Sequence, residues 1–380
     1  MKARLHHLHR DERGMTFAFV AVGLMAFLAA STLAVDIGMF MTARSQAQNA
    51  ADAGALAGAV ALAFDDYDDR TAAGPAVQSA IAGALGNQVM RGAVSVKAED
   101  VTFPAAPNGA FNRVRVDVYR TAERSNSIGT LIGPIFGVPT VDIIAMATAE
   151  AAPANAMTCV KPFTIPDRWV ENSVPKNDTF DRYDSKGNVI PNADVYIEPG
   201  QPGYAGYDSD ADKGTPLMIR AGTGNNISPS MYWSWKMPND VGGDFYRDNI
   251  ATCNTSVFTF KSMMQPEPGN MTGPTMDGID DLIAKDPDAV WDSNAEKVVT
   301  DLNPSPRIFP IPLYDPDFYA SEKANGRNAS LRMANWVGFF VERRDGNNVY
   351  GRIVPILGVI DPTLGSAPDG AFAKAIRLVQ

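Results

Sequence analysis

From Met15 to Val35 the chain runs 21 residues without a charge, and Thr16, Ser31 and Thr32 are its only polar side chains there. At about 1.5 Å rise per residue a helix of this length spans roughly 30 Å, the thickness of a bilayer's hydrocarbon core. A secretory signal has a shorter apolar region, about 7–15 residues, so a retained anchor is expected, with cleavage at "STLAV" as the alternative. The helical pattern does not break at Asp36. It continues through "RSQAQNAADAGALAGAVALAF", where Ala47, Ala51, Ala55 and Leu62, with Gly54 and Gly58, line one side. Arg44, Gln48 and Asp52 make a polar side. Alanine is the best helix former, so a long rod is expected.

Within the apolar stretch Ala18, Val22, Ala26, Ala30, Ala34 and Gly38 recur every four residues. Such a ridge lets another helix approach closely. Two readings of the small faces stay open, a partner helix or the chain's own sheet, and both can hold on different faces. Asp36 is likewise either the first group to reach water or a polar contact with a partner helix.

Downstream, "PAVQSAIAGALGNQVM" predicts a second amphipathic helix with proline in its first turn. "AVSVKAEDVTF" and "RVRVDVYRT" predict half-buried strands. "NSIGTLIGPIFG" predicts a short apolar helix or loop, and "TVDIIAMATAEA" a long strand. Residues 151–260 are rich in turn formers. Strands reappear at "SVFTFKSM", "NWVGFFVERR" and "NVYGRIVPILGVI", with a hairpin at Asp345-Gly346. The expected class is α+β: a long N-terminal helix packed on a small antiparallel sheet, then a β-rich, loop-rich C-terminal region. The expected boundaries are a basic tail (1–14), a transmembrane helix (15–35), a helix plus α+β domain (36–155) and a β-rich region (156–380).

Charge orients this plan. The 380-residue chain has net charge −10. Residues 1–14 hold four bases and two acids, leaving 29 bases against 41 acids beyond them, a net of −12. The positive-inside rule places the tail in the cytoplasm and everything after Asp36 outside it. An acidic outer part argues against nucleic-acid binding.

The combination of a basic segment, "ERG" before a span, and "AVDIG…R…Q…AADAGALAGA" resembles the N-terminal domain of TadE/TadG-type proteins of the tight-adherence (Flp) pilus assembly system. The residues that carry it are Gly14, Ala34, Val35, Asp36, Gly38, Arg44, Gln48, Ala50 to Ala53, Ala55 to Ala57 and Ala59. Asp36, Arg44 and Asp52 stand eight apart each time. "CVKPFTIPDRW" (Cys159–Trp169) is similar to the start of the C-terminal region in the TadG-related branch. Phe19 occupies the position where family members cut by a prepilin peptidase usually carry glutamate. The resemblance therefore does not extend to processing after Gly14 or to a major pilin.

Catalytic chemistry finds little support. His6, His7 and His9 are the only histidines, and all precede the span. That removes histidine bases, histidine-ligated zinc and the usual triads from the outer part. Cys159 and Cys253 are the only cysteines. In an oxidising compartment they are expected to pair, two buried free thiols being the alternative. Asp208, Asp210 and Asp212 have alternating spacing that suits calcium, but Ile219 stands where an EF-hand needs glutamate. The expectation is no cofactor and no metal, with calcium at these aspartates as the alternative to an acidic solvated turn. "MDGIDDLIAKDPDAVWD" (Met276–Asp292) takes the same solvated reading.

The sequence thus predicts a non-enzymatic, single-span bacterial inner-membrane protein with its C-terminal domain in the periplasm. Its partners would be the membrane and TadE/TadF/pilin-like helices of an assembly complex, with no nucleic acid. The candidate interface residues are Ala26, Ala30, Ala34, Asp36, Gly38, Arg44, Asp52, Gly54 and Gly58. The alternatives are a minor pilin or tip adhesin touching a glycan through Trp233, Trp235 and the acidic loops, and a carboxylate-dependent envelope hydrolase.

Overall fold

The computed structural model describes residues 15–65, 68–107, 109–222, 226–238, 242–269, 271–302, 304–323 and 329–379. The basic tail, its three histidines and Gly14 lie outside them. Two compact units result: one ends at Glu150 and takes back the chain end from Arg377, the other spans Ala151–Ile376. The class is α+β.

The first unit is built on α1, an unbroken helix of 50 residues, Met15–Phe64. Its apolar part holds no stray polar group: Ser31 Oγ donates to the Phe27 carbonyl (2.8 Å) and Thr32 Oγ1 to that of Leu28 (2.9 Å). This part, long and apolar enough to cross a membrane, has a mean hydropathy of 2.2 over its best window, none of it buried by protein. Burial begins at Asp36 and continues through Ala43, Ala47, Ala50, Ala51, Gly54, Ala55 and Gly58.

That upper face packs on α2, Pro75–Leu85, which opens with proline and buries Ala76, Val77, Ala80 and Ala84. Small residues set the spacing. A Cβ on Gly54 would lie 2.9 Å from the Ala80 carbonyl oxygen, and one on Gly83 would lie 2.8 Å from Ala57 Cβ. The strands follow as β1 (Val101–Thr102), β2 (Arg113–Arg120), β3 (Ile128–Gly129), β4 (Thr140–Val141) and β5 (Ile143–Pro153). In β2 every second residue is buried, with Val114, Val116 and Val118 fully so, as strict alternation requires. β2 and β5 pair antiparallel from Arg113↔Glu150 to Arg120↔Ile143. They form a four-stranded sheet with β1 and the terminal strand Lys374–Val379.

The strand expected over "AVSVKAEDVTF" is mostly replaced. Asp100 accepts the Lys97 backbone N–H at 2.8 Å and closes a 3₁₀ turn, so only Val101–Thr102 remains in the sheet.

The second unit is a closed sheet. Its strands are β6 (Phe163–Pro166), β7 (Pro216–Ala221), β8 (Met231–Ser234), β9 (Met263–Met264), β10 (Ile308–Tyr314), β11 (Leu331–Asp345) and β12 (Asn348–Ile353). The hydrogen-bonded order β11-β10-β6-β8-β7-β12 returns to β11, making a six-stranded barrel, and β9 pairs with the start of β11. The β10–β6 and β8–β7 pairings are parallel and the other four antiparallel. The 15 residues of β11 bend at an irregularity between Val341 and Arg343, which lets one strand serve both neighbours. A chain of rings fills the interior: Phe163 meets Tyr232 at 5.5 Å and Phe309 at 6.1 Å, and Phe309 meets Phe339 at 5.9 Å.

The hairpin at Asp345-Gly346 pairs Asp345 with Asn348, and Gly346 takes the positive φ its turn demands. Three helices accompany the barrel, α3 (Gly243–Ala251), α4 (Thr272–Lys285) and α5 (Pro316–Glu322). The stretch read as a solvated acidic loop, 276–292, is largely α4. Asp281 is paired with Arg247 (2.7 Å) and Asp280 with Arg344 (2.7 Å). Asp286 is buried, accepting from Thr300 Oγ1 at 2.7 Å and from Ser305 Oγ.

Candidate functional site

The interface candidates lie along α1, and the structure sorts them by position. Ala26, Ala30, Ala34 and Gly38 are exposed, and a Cβ on Gly38 would meet nothing within 4 Å. Gly54 and Gly58 face inward. A Cβ on Gly58 would sit 2.8 Å from Val114 Cγ1 and 3.0 Å from Ala80 Cβ, and one on Gly54 3.2 Å from Val116 Cγ1. The upper small residues thus serve the first unit's own packing, and the lower ones are free of it.

Asp36 marks the change. It is 3% exposed, and its two carboxylate oxygens each accept a backbone N–H, from Leu131 at 2.8 Å and Ile132 at 3.1 Å. A charge on an otherwise apolar helix is retained because it meets two donors that need an acceptor. The donors belong to the loop between β3 and β4, which turns through a short 3₁₀ helix, Gly133–Phe136. Gly133 is required there: a Cβ would fall 2.0 Å from the Val138 carbonyl oxygen.

Above Asp36 further side chains tie α1 to backbone. Gln46 Oε1 accepts the Met90 N–H at 2.8 Å. Gln48 Nε2 donates to the Met146 carbonyl (3.0 Å) and to Asp52 Oδ1 (2.8 Å). Asp52 is half-buried and Arg44 exposed. Gln46 was not among the expected residues, and the partner of Asp36 has no side-chain signature.

The second unit places its candidates differently. Cys159 and Cys253 form a disulfide. Next to it Lys161, 3% exposed, donates to the carbonyls of Ile250 (2.5 Å) and Thr252 (2.7 Å) at the end of α3. Burial, with Lys285 nearby, lowers the Lys161 ammonium to about 7. Asp208, Asp210 and Asp212 do not converge on a common centre. Asp212 pairs with Arg168 (2.7 Å), while Asp208 accepts the N–H groups of Asp210 and Ala211. Among the described residues no three acidic, histidine or cysteine side chains gather as a metal would need. Trp235 is 1% exposed and donates its indole N–H to the Lys161 carbonyl, so it offers no face to a sugar.

A cavity of about 220 Å³ is lined by Tyr196, Glu198, Lys261, Asp315 and Arg332 among others. Its charges satisfy one another: Glu198 holds Arg332 (2.6 Å) and Lys261 (3.1 Å), and Arg332 also holds Asp315. Beneath it Asp167, fully buried, accepts from Tyr204 (2.8 Å) and Tyr196 (3.0 Å). Burial raises this carboxyl to about 6 despite those bonds.

The features along α1 define a class: a protein with one long apolar helix whose upper half is the backbone of a small α+β unit. Residues 14–61 match the family model described as "Putative Flp pilus-assembly TadE/G-like", so the N-terminal segment carries a TadE/G-like domain. No curated protein and no solved structure matches the chain.

Proposed function

We propose that this protein is a membrane-anchored envelope component of a tight-adherence, Flp-type pilus assembly or secretion apparatus, and that it works by association rather than catalysis. Residues 15–35 would span the inner membrane with the basic tail in the cytoplasm and both units in the periplasm. The observation that carries the reading is the apolar window of α1, uncovered by protein and continuous with the family-matched helix. A disulfide is at home on that oxidising side. The exposed ridge through Ala26, Ala30 and Ala34 would seat TadE-, TadF- or pilin-like helices, where close backbone approach substitutes for a hydrophobic driving force.

The test is capture of TadE- and TadF-like proteins from detergent-solubilised membranes. Ala30→Leu is expected to abolish co-purification while the disulfide still forms. Undiminished capture would overturn the ridge as an interface. Recovery of the chain on sheared filaments instead of the inner membrane would move it to the filament tip.

A further inference from the structure

We propose that the β3–β4 hairpin is a second membrane contact, its apolar tip seated in the interface of the bilayer that α1 crosses and held there by Asp36. The inference rests on the reading of Met15–Val35 as a span.

Its first support is level. Contacts of the first unit descend α1 in order. Val114 lies over Gly58 and Val116 over Gly54, then Gln48 holds the Met146 carbonyl, and Asp36 holds Leu131 and Ile132. β2 therefore runs toward the apolar end of the helix, and the hairpin is the lowest part of the unit to touch it. It does so at the residue that follows the last of the uncharged stretch.

The second support is composition and exposure. From Asn126 to Val141, 16 residues carry no charge. Leu131 is 61% exposed, Ile135 80%, Phe136 71% and Val138 48%. Contiguous exposure of large apolar side chains marks an interaction surface. On α1 at the same level, Leu33, Val35 and Ile37 are also about half exposed, so hairpin and helix present one continuous apolar surface. The occupant that reaches both is the bilayer.

The third support is the backbone. Peptide groups resist an apolar medium unless bonded within the protein. Here the tip bonds itself. Ile135 N–H reaches the Ile132 carbonyl (3.0 Å), Gly137 N–H that of Pro134 (3.2 Å) and Val138 N–H that of Gly133 (2.8 Å). Thr130 Oγ1 donates to the Val138 carbonyl at 2.7 Å. The two N–H groups left over, on Leu131 and Ile132, are the ones Asp36 takes. The tip is thus apolar outside and satisfied inside, as an interfacial segment must be. Two attachments, span and hairpin, fix how the first unit stands on the membrane and stop it from swivelling about a single helix.

The test uses the full chain with its disulfide closed, so that an NBD fluorophore attaches only to one introduced cysteine: Phe136→Cys, Leu28→Cys in mid-span, or Val60→Cys high on α1. Each is reconstituted in phosphatidylethanolamine–phosphatidylglycerol vesicles holding lipids spin-labelled near the headgroup or in mid-chain. The label at 28 should be quenched by mid-chain spins, that at 136 by headgroup-region spins, and that at 60 by neither. An unquenched label at 28 defeats the span and the hairpin proposal with it. A quenched 28 with 136 behaving like 60 overturns the hairpin contact alone. Ile135→Cys repeats the measurement should Phe136→Cys fail to accumulate. Adding Asp36→Ala should bring the label at 136 toward the level of that at 60 and leave 28 unchanged. Unaltered quenching at 136 would overturn the role given to Asp36.

Discussion

Asp36 accepts the backbone N–H of Leu131 at 2.8 Å across 95 positions of sequence. Removing that acceptor by Asp36→Ala leaves two N–H groups unpaired, at about 1–3 kcal/mol for each buried group. The hairpin 128–141 should then become the first site of limited proteolysis. Asp36→Asn keeps one acceptor oxygen, so its cleavage rate should fall between the two. Equal resistance of all three proteins would show that the carboxylate does not hold the loop.

Gly58 and Ala30 lie on one helix but should answer substitution differently. Gly58→Leu drives a side chain into Val114 and Ala80. Overpacking of this kind costs about 1–3 kcal/mol, read as a lowered denaturation midpoint of the first unit in detergent. Ala30→Leu touches nothing in the chain and should leave that midpoint where it is.

Cys159 and Cys253 are 94 residues apart. Closing a loop of that size removes chain entropy worth up to about 4.7 kcal/mol, with typical measured values of about 2–4 kcal/mol. A Cys159→Ser, Cys253→Ser double variant should therefore unfold at markedly lower urea than the oxidised protein, and reductant should reproduce the effect. No shift in the second unit's transition would show the bond to be dispensable.

Two buried groups give the second unit a defined pH response. Asp167 is raised to about 6, so the folded state holds a proton that the unfolded chain releases near 4. Stability should fall as pH rises from about 4 to 6. Lys161 is lowered to about 7 from 10.5, so the unfolded chain holds the proton the folded state has lost. Stability should rise from about pH 7 to 10.5. Asp167→Asn should flatten the acid limb and Lys161→Met the alkaline one, measured as urea midpoints across pH. A limb that keeps its slope in its own variant would assign that slope to another group.

Local pattern made parts of this fold legible. The uncharged run into an alanine-rich continuation specifies α1, and strict alternation specifies β2. Asp345-Gly346 between apolar runs specifies its hairpin. Closure of the barrel was not legible. Its parallel pairings join Leu313 to Ile165 and Arg220 to Met231, and β6 is buried at all four positions, so it shows no alternation to read. The small-residue ridge also concealed a division, since Gly54 and Ala30 look alike in sequence and only packing separates them. Asp36 stood out as a lone acid, but its partners are main-chain groups that any residue would supply. Lys161 gave no signal at all, because nothing local says that a lysine will be buried against the end of α3.

The ring formed by β11-β10-β6-β8-β7-β12 has one further consequence. A sheet with open margins invites a stranger's strand to add on, and a filament-building compartment is crowded with apolar chains in transit. With its rows of main-chain donors and acceptors spent on one another, the barrel gives such a chain little to copy. Whatever docks on this unit must read the shapes and charges of its side chains, which is how a scaffold can stand among polymerising subunits without being drawn into the polymer.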